Sequence, residues 1–566
     1  MREQILKSAQ LLWRFTHVRR FEDAVRAPRA AQEQKLRAIV AANRDTVYGR
    51  EHGFGGIRTV ADFRRQVPIN DYERLEPYVQ RSMRGERHVL TREAPLMFAV
   101  TSGTTGKSKF IPVTPSYLAE YNHAVHVHTW RLLADYPEAG GGTFLIPSSC
   151  DVEGHTEAGI PYGAISGFLT RQQPSFVRTF YALPYEVARI KSVEAKYYLT
   201  LLLALQHDIR LAVSVNPSSL VLLAEKMQAH AERLLADLGA GRVSAEVALP
   251  QPAAEAARRL LRPQPERARQ LAAAAERHGA LTPKHAWPDL KVISCWKGGT
   301  MPLYLQRLRR FWGEAPVRDL GYMASEGRGS IPLVDAGAAG VLALTTHFFE
   351  FVPVDEIDAE QPTCLTADEL VSNREYYVLF TTSSGLYRYH INDIVRVVDY
   401  YREAPVIQFV RKGQGISSVT GEKLTESQVT ASLLDVVAAR KIDLKHFAMA
   451  PRWAATPYYA LMVEPGGPTS AAEHRDFLRS MDQALCEANV EYQAKRESER
   501  LGRPVLQVVA PGTFDRYRQE RVSQGAPEAQ VKIPHLSPKF EFGKQFEVVE
   551  EIRLDATPVA GGGAGG

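Results

Sequence analysis

Residues 101–109 read Thr-Ser-Gly-Thr-Thr-Gly-Lys-Ser-Lys. The stretch gathers glycines, hydroxyl side chains and lysines directly after Phe98-Ala99-Val100, an apolar run that reads as the end of a buried strand. Such a loop can wrap a polyphosphate: glycines let the backbone approach, N–H groups and hydroxyls donate to phosphate oxygens, and a lysine balances charge. The P-loop of nucleotide triphosphatases is excluded, because it places a glycine where Thr101 stands ahead of Gly106-Lys107-Ser108. Composition alone fits a polar surface turn equally well.

A chain of 566 residues is too long for one ordinary core, so two or three domains are expected. Apolar content of 45% and charged content of 23% are those of a soluble globular protein. The net charge of +5 is small for this length, and basic residues are interspersed with acidic ones, which argues against nucleic-acid binding. Cys150, Cys295, Cys364 and Cys486 lie far apart without metal-ligand spacing and read as free thiols of a cytoplasmic protein. Met1-Arg2-Glu3-Gln4 does not open a signal peptide. The longest apolar run, around Tyr197 to Leu205, is about half of what spans a bilayer and reads as a buried helix, so no membrane partner is expected.

Residues 1–45 have helical periodicity, followed by a turn at Thr46-Val47-Tyr48-Gly49 and more helix to about residue 90. From 93 to 220 short apolar strands alternate with helices, an α/β pattern, and 221–285 read as helices interrupted near Pro250 and Pro263. Strands are expected at Leu290–Trp296 and Asp319–Tyr322, then at Val341–Thr345, Glu375–Thr381, Asp393–Val398 and Val406–Val410, a β-subdomain. After Gly421 the order is helix 426–440, strands 446–451 and 457–463, helix 471–495 and strand 505–510. The fold expectation is therefore α/β: a large domain over 1–421, a small α/β domain over 422–554, and a disordered Gly/Ala-rich tail over 555–566.

Four further segments follow the 101–109 loop. Lys297-Gly298-Gly299-Thr300 comes after a β-rich run; Tyr322-Met323-Ala324-Ser325-Glu326 offers an aromatic ring and a carboxylate; Tyr387-Arg388-Tyr389-His390-Ile391-Asn392-Asp393 leads into an apolar strand; and Arg411-Lys412-Gly413-Gln414-Gly415 precedes Gly421-Glu422-Lys423. Each alone reads equally as a turn with solvated polar residues. Together and in this order they resemble the adenylate-forming enzymes. That resemblance implies ATP contacts from Ser102, Gly103, Thr104, Thr105, Gly106 and Lys109, and from Gly298, Gly299 and Thr300 beside the adenine and α-phosphate. It implies a nucleotide wall of Tyr322, Met323, Ala324 and Ser325, with Mg²⁺ held by Glu326, ribose held by Asp393, Arg411 contacting ribose or phosphate at the start of a domain hinge, and Lys423 placed to touch the nucleotide. The third segment departs from the family's Tyr-Arg-x-Gly-Asp form, with two extra positions and Asn392 in place of glycine.

The resemblance narrows to the auxin-responsive Gretchen Hagen 3 family of acyl acid–amido synthetases, through Thr46–Gly49, Val67-Pro68-Ile69 with Tyr72-Glu73, Phe110–Thr114, Phe348–Pro353, Gly385–Tyr389, Pro511–Phe514 and Gln530-Val531-Lys532-Ile533-Pro534. It implies a large adenylate-forming domain with a small mobile C-terminal domain. The implied reaction joins a small carboxylic acid to ATP and then to an amino acid, with Lys532, Lys423 and Lys109 as catalytic cations. Lys544, in Gly543-Lys544, resembles the catalytic lysine of acyl-CoA synthetases and is the rival to Lys532; a CoA ligase is the alternative enzyme, and a non-catalytic nucleotide-binding protein a further one. His123, His126 and His128 have near-helical spacing and read as a solvated or partly buried helix face rather than a metal site. Tyr162, Tyr181, Val215, Met323 and Phe348 are candidates for the acid pocket, with core packing the plainer reading of each. The acid, the acceptor and the oligomeric state are left open.

Overall fold

A computed structural model describes residues 2–102, 108–298, 301–357, 359–413, 416–420, 422–454, 456–524, 531 and 533–554. The chain divides into two compact units, Met1–Val410 and Arg411–Gly566. The division falls ahead of the Gly421 boundary read from composition. The 555–566 tail lies outside the described residues.

Among the described residues three sheets build the first unit. In the first, β1 (Met97–Ser102) pairs antiparallel with β2 (Ser108–Val113) and parallel with β5 (Pro161–Gly163), whose other edge carries β4 (Gly154–His155). In the second, β3 (Thr143–Leu145), β6 (Ile209–Val213), β7 (Val292–Ser294) and β8 (Val317–Arg318) run parallel. Parallel neighbours need long crossovers, and helices supply them. The apolar run read as a buried helix is Val193–Leu205, started by Ser192, whose Oγ accepts the Ala195 N–H at 3.3 Å. Its Tyr198–Leu205 half is buried throughout and packs with the other helices over the parallel sheet. The third sheet is six-stranded, in the order β11 (Phe348–Pro353), β12 (Glu375–Thr381), β13 (Tyr389–Tyr401), β14 (Ala404–Lys412), β10 (Gly340–Leu342), β9 (Ser330–Ile331).

The N-terminal helices join the core of this third sheet. Gln32, on the helix Pro28–Asn43, is buried; its Nε2 donates to the carbonyls of Leu344 and His347 at 2.8 Å each, and its Oε1 accepts the Phe349 N–H at 2.8 Å. One amide thereby satisfies three backbone groups that burial would otherwise orphan. Arg388 joins the sheet to the helix Val60–Gln66: it grips Glu350 through Nε (2.9 Å) and a second nitrogen (3.2 Å), Nη1 donates to the Val67 carbonyl at 2.8 Å, and Arg64 also reaches Glu350 at 2.9 Å. Glu350 and Arg388 are 1% and 5% exposed, so this charge is solvated by protein alone.

In the second unit β15 (Ile416–Ser417) and β16 (Leu424–Thr425) form a small ladder, and β17 (Leu444–Arg452), β18 (Tyr458–Pro465), β19 (Val505–Val509) and β20 (Val548–Ile552) form a four-stranded sheet. The helix Glu426–Arg440 matches its expected span because its start is written in sequence: Thr425 Oγ1 accepts the Gln428 N–H, and Gln428 Oε1 accepts the Thr425 N–H.

Three expectations are corrected. Thr46–Gly49 is not a plain turn: Thr46 Oγ1 accepts the Gly49 N–H at 3.0 Å and starts the short helix Val47–Glu51. The helix expected over 471–495 is two, Ala471–Ala488 and Val490–Glu497, because Asn489 turns extended and its side chain caps the second by accepting the Tyr492 N–H at 2.8 Å. Asp319–Tyr322 is not a strand: β8 ends at Arg318, and the Asp319 side chain takes the Gly321 N–H that a ladder would have used. Among the described residues no helix is long and apolar enough to cross a membrane.

Removing one partner of the buried Arg388–Glu350 pair should cost about 3–5 kcal/mol. Glu350→Ala is therefore expected to lower the melting temperature sharply, whereas Arg388→Met combined with Glu350→Leu should recover much of the loss. Thermal unfolding of the single and double variants checks this.

Candidate functional site

In open parallel sheets ligands sit beyond the carboxyl ends of the strands. Two of the sequence-marked segments leave such ends side by side: Cys295–Gly298 after β7 and Asp319–Tyr322 after β8. Asp319 ties them together. One carboxylate oxygen accepts the Lys297 N–H and the other the Gly321 N–H, both at 2.6 Å, and the Trp296 indole donates to the Gly321 carbonyl at 3.0 Å. Gly321 has φ +88, and a Cβ there would lie 2.4 Å from the Ser330 carbonyl, so only glycine fits. Burial pushes the Asp319 carboxyl up to about 6, against the two N–H donors and the charges of Lys297 and Arg328.

From Gly321 the chain makes a tight excursion and returns. The Gly329 and Ser330 N–H groups donate to the Tyr322 carbonyl, and the Gly327 and Ala324 backbones bond each other, so Ser325 and Glu326 are the central residues of a turn. The Tyr117 hydroxyl donates to the Ser325 carbonyl at 2.8 Å. His347 Nε2 accepts the Arg328 N–H at 3.1 Å, and burial drives the imidazole down to about 3, so it stays a neutral acceptor. Glu326 is 7% exposed. Burial first, with the Glu326 charge added, holds the hydroxyls of Tyr72, Tyr117, Tyr322 and Tyr389 above the ordinary phenol range, Tyr72 at about 12. These phenols therefore remain protonated.

The Tyr322 hydroxyl donates to Asp393 Oδ2 at 2.7 Å. Its ring runs parallel to Phe409 on β14, centroids 6.0 Å apart. Asp393 is aimed by a bulge: His390 pairs with Leu379 and Ile394 with Tyr377, so Ile391, Asn392 and Asp393 face Val378 alone. Asn392 has φ +63, a left-handed conformation that asparagine tolerates best after glycine. This accounts for both oddities of the segment, its extra positions and its asparagine. Arg388, by contrast, is spent on Glu350.

The 101–109 stretch is closed by the β1–β2 ladder, in which Thr101 faces Lys109 and Ser102 faces Ser108. The strand ahead of the stretch is thus followed by a second, antiparallel strand, where a P-loop is followed by a helix. Lys109 Nζ lies over the Tyr72 ring, 5.6 Å from its centroid, and the Tyr72 oxygen accepts the Phe110 N–H at 2.8 Å. Gly298 backs onto Ala338, where a Cβ would approach to 3.2 Å. Gly103, Thr104, Thr105, Gly106, Gly299 and Thr300 lie outside the described residues, as does the side chain of Ser102. In this unit Tyr322 and Asp393 are thus joined by a hydrogen bond, Lys109 lies against Tyr72, and Met323, Ala324, Ser325 and Glu326 share the turn that follows Tyr322.

In the second unit Arg411 is half-buried near the end of β14, and Lys423 is exposed with φ +45. The buried Glu422 beside it accepts the Val419 and Thr420 N–H groups at 2.8 Å and the Tyr459 hydroxyl. Lys532 lies outside the described residues. Just beyond it the His535 carbonyl accepts the Met449 N–H at 2.8 Å, which fixes the chain to β17. Lys544 is exposed and paired with Glu541.

His123 and His128 are buried and His126 is half-buried; His123 and His126 bond His17 at 2.8 and 3.2 Å. No group of three or more His, Cys, Asp or Glu that could hold a metal exists among the described residues. Of the acid-pocket candidates, Phe348 is 1% exposed and packs edge-on against Phe63 in the core. Sequence reasoning missed Asp319, Tyr72 as the partner of Lys109, and His347. The usable signal for Asp319 was an acid two residues ahead of a glycine where a strand should end.

The chain matches the GH3 family N-terminal domain over residues 17–317, the central domain over 340–412 and the C-terminal domain over 428–541. It is 26% identical over 567 aligned positions to a probable indole-3-acetic acid-amido synthetase, GH3.2, of Oryza sativa subsp. japonica, covering 93% of this chain and 91% of that protein. It is 27% identical to the jasmonoyl–L-amino acid synthetase JAR6 of Nicotiana attenuata, covering 92% and 93%. The solved GH3.15 acyl acid amido synthetase shares the fold, with TM-score 0.83 at 21% identity, covering 94% of this chain and 96% of that one.

The left-handed Asn392 predicts an ordered series. Asn392→Gly should leave stability nearly unchanged, and Asn392→Ala should cost about 1–2 kcal/mol. Asn392→Val should cost more, because a β-branched residue resists that conformation. Urea unfolding midpoints check the order, and an alanine variant as stable as the glycine one would contradict it.

Proposed function

The chain belongs to the GH3 family, and on that premise we propose that it is an ATP-dependent amido synthetase, which adenylates a small carboxylic acid and passes the acyl group to an amino acid. The observation that carries the reading is the Tyr322–Asp393 hydrogen bond, which joins the segment bearing Glu326 to the segment proposed to hold ribose. The printed activities of the indole-3-acetic acid and jasmonoyl relatives support the same class of product.

The chemistry takes two displacements. A substrate carboxylate oxygen attacks the α-phosphorus of ATP; the bond to the bridging oxygen breaks and pyrophosphate leaves. The amine nitrogen of an amino acid then attacks the acyl carbon; the bond to the AMP oxygen breaks, the nitrogen gives up a proton, and amide and AMP are released. Adenylation makes the acyl carbon electrophilic, so no enzyme nucleophile is required. Lys109, with Ser102, Gly103, Thr104, Thr105 and Gly106, offsets charge on the phosphates. Gly298, Gly299 and Thr300 permit close approach beside the adenine and α-phosphate, Tyr322 to Ser325 form the nucleotide wall, and Asp393 accepts from ribose hydroxyls. Arg411 contacts ribose or phosphate, and Lys423 and Lys532 act as catalytic cations. Glu326 fits Mg²⁺: a single buried carboxylate suits an ion that takes its remaining ligands from substrate phosphates and water. When bound, that ion neutralises phosphate charge.

Incubation with ATP, Mg²⁺, hydroxylamine and a panel of acids should give a hydroxamate and pyrophosphate for at least one acid. One or a few amino acids should then yield an amide by mass spectrometry. A thioester with CoA, and no amide across the amino acids, would replace this reading with a CoA ligase. Glu326→Gln should lower pyrophosphate release by about a hundredfold or more while the melting temperature stays close to the parent's. Unchanged turnover in a folded variant would remove Glu326 from the metal role.

A further inference from the structure

We propose that Asp319 is a positioning residue for the nucleotide, holding the loop after β7 and the loop after β8 in one fixed relation through both of its carboxylate oxygens. The inference rests on the functional reading above, which puts the nucleotide against these two loops. Asp319 is 3% exposed, and its two bonds use different oxygens, Oδ2 accepting the Lys297 N–H and Oδ1 the Gly321 N–H. Both partners are backbone donors, so the side chain between them must present an acceptor at each end. An ionised carboxylate does this. A neutral carboxyl keeps one good acceptor and turns a hydroxyl to the other side; an asparagine does the same with its NH₂. Protonation and Asp319→Asn are therefore the same perturbation, reached by two routes. The Trp296 bond to Gly321 still joins the loops in either case, so the expected result is a loosened site and not an unfolded one.

Among the described residues the Lys297 ammonium and the Arg328 guanidinium act electrostatically on Asp319, and the Asp319 charge adds to the burial that raises the Cys295 thiol. Burial outweighs the two cations and the two N–H donors, leaving the carboxyl at about 6. A folded value above that of the unfolded chain means that the residue's contribution to stability is present in full below the unfolded value and is lost as pH rises through about 6. Positioning runs the other way, because the ionised form makes both bonds. Acidification through this window should therefore weaken nucleotide binding while this residue's contribution to stability grows. A side chain that served the fold alone would not separate the two.

The test measures ATP affinity by calorimetry in the presence of Mg²⁺ on the full chain, from about pH 5 to about pH 8, for the parent, D319N and K297M, with melting temperatures alongside. D319N should bind about tenfold more weakly at the alkaline end, and the gap should close toward the acid end as the parent protonates. Titration of ATP itself is common to both proteins and cancels in their ratio. K297M keeps the backbone N–H and removes a nearby cation, so its acid fall-off should begin at higher pH; this variant decides the matter alone if D319N folds poorly. A D319N protein that keeps the parent's affinity and pH profile, or a K297M profile that does not move, would overturn the proposal while leaving the functional reading standing. A parent chain that binds no ATP at any pH would overturn both.

Discussion

The hydrogen bond from the Tyr322 hydroxyl to Asp393 joins residues 71 positions apart, and the candidate site is organised around it. It needs Tyr322 inside, which Phe409 and the close approach of Gly329 secure, and Asp393 aimed inward, which the β13 bulge secures. It also fixes the phenol as a donor: burial and the neighbouring carboxylates hold the Tyr322 proton well above the ordinary range. A buried carboxylate is costly unless donors surround it. The large unit meets that cost repeatedly, at Glu350 with arginines, at Asp319 with backbone N–H groups and at Asp393 with a phenol. Arginines thereby brace Glu350 within the fold, while backbone N–H groups hold Asp319 between two loops.

Much of this was legible in the residues, for identifiable reasons. Glu375–Thr381 and Glu426–Arg440 took their expected bounds because local signals were unopposed there, apolar β-formers in the first and a capping box in the second. The strand after Asp393 was read too short at its start, since a bulged strand breaks the alternation on which such a reading relies. Asp319–Tyr322 failed because one side chain captured a backbone donor, an event that propensity does not register. The helix over 471–495 failed at Asn489 for the same reason.

The site residues were legible as a set and not as a geometry. Glycines, hydroxyls and acids in a fixed order carried the family resemblance, yet nothing in Asn392 announced a left-handed backbone standing in for glycine. Residues that support the set without belonging to a motif were invisible: His347 accepts a backbone N–H two positions past Glu326, and Tyr72 lies beneath Lys109. Their partners are separated from them in sequence, and only tertiary packing brings them together.

Gln32 carries a consequence for how the chain is made. Its amide is completed by carbonyls and an N–H that lie 312 to 317 residues further along. A ribosome adding about 5–20 residues each second needs roughly 15–60 seconds to deliver them. Throughout that interval the helix Pro28–Asn43 has emerged while the strand it is stitched to has not. Its apolar face, with Leu36, Ile39 and Val40, waits in water for a surface not yet synthesised. These contacts can therefore close only late in synthesis, and the nascent helix's exposure to chaperones and to aggregation lengthens with the distance along the message between one glutamine and one phenylalanine.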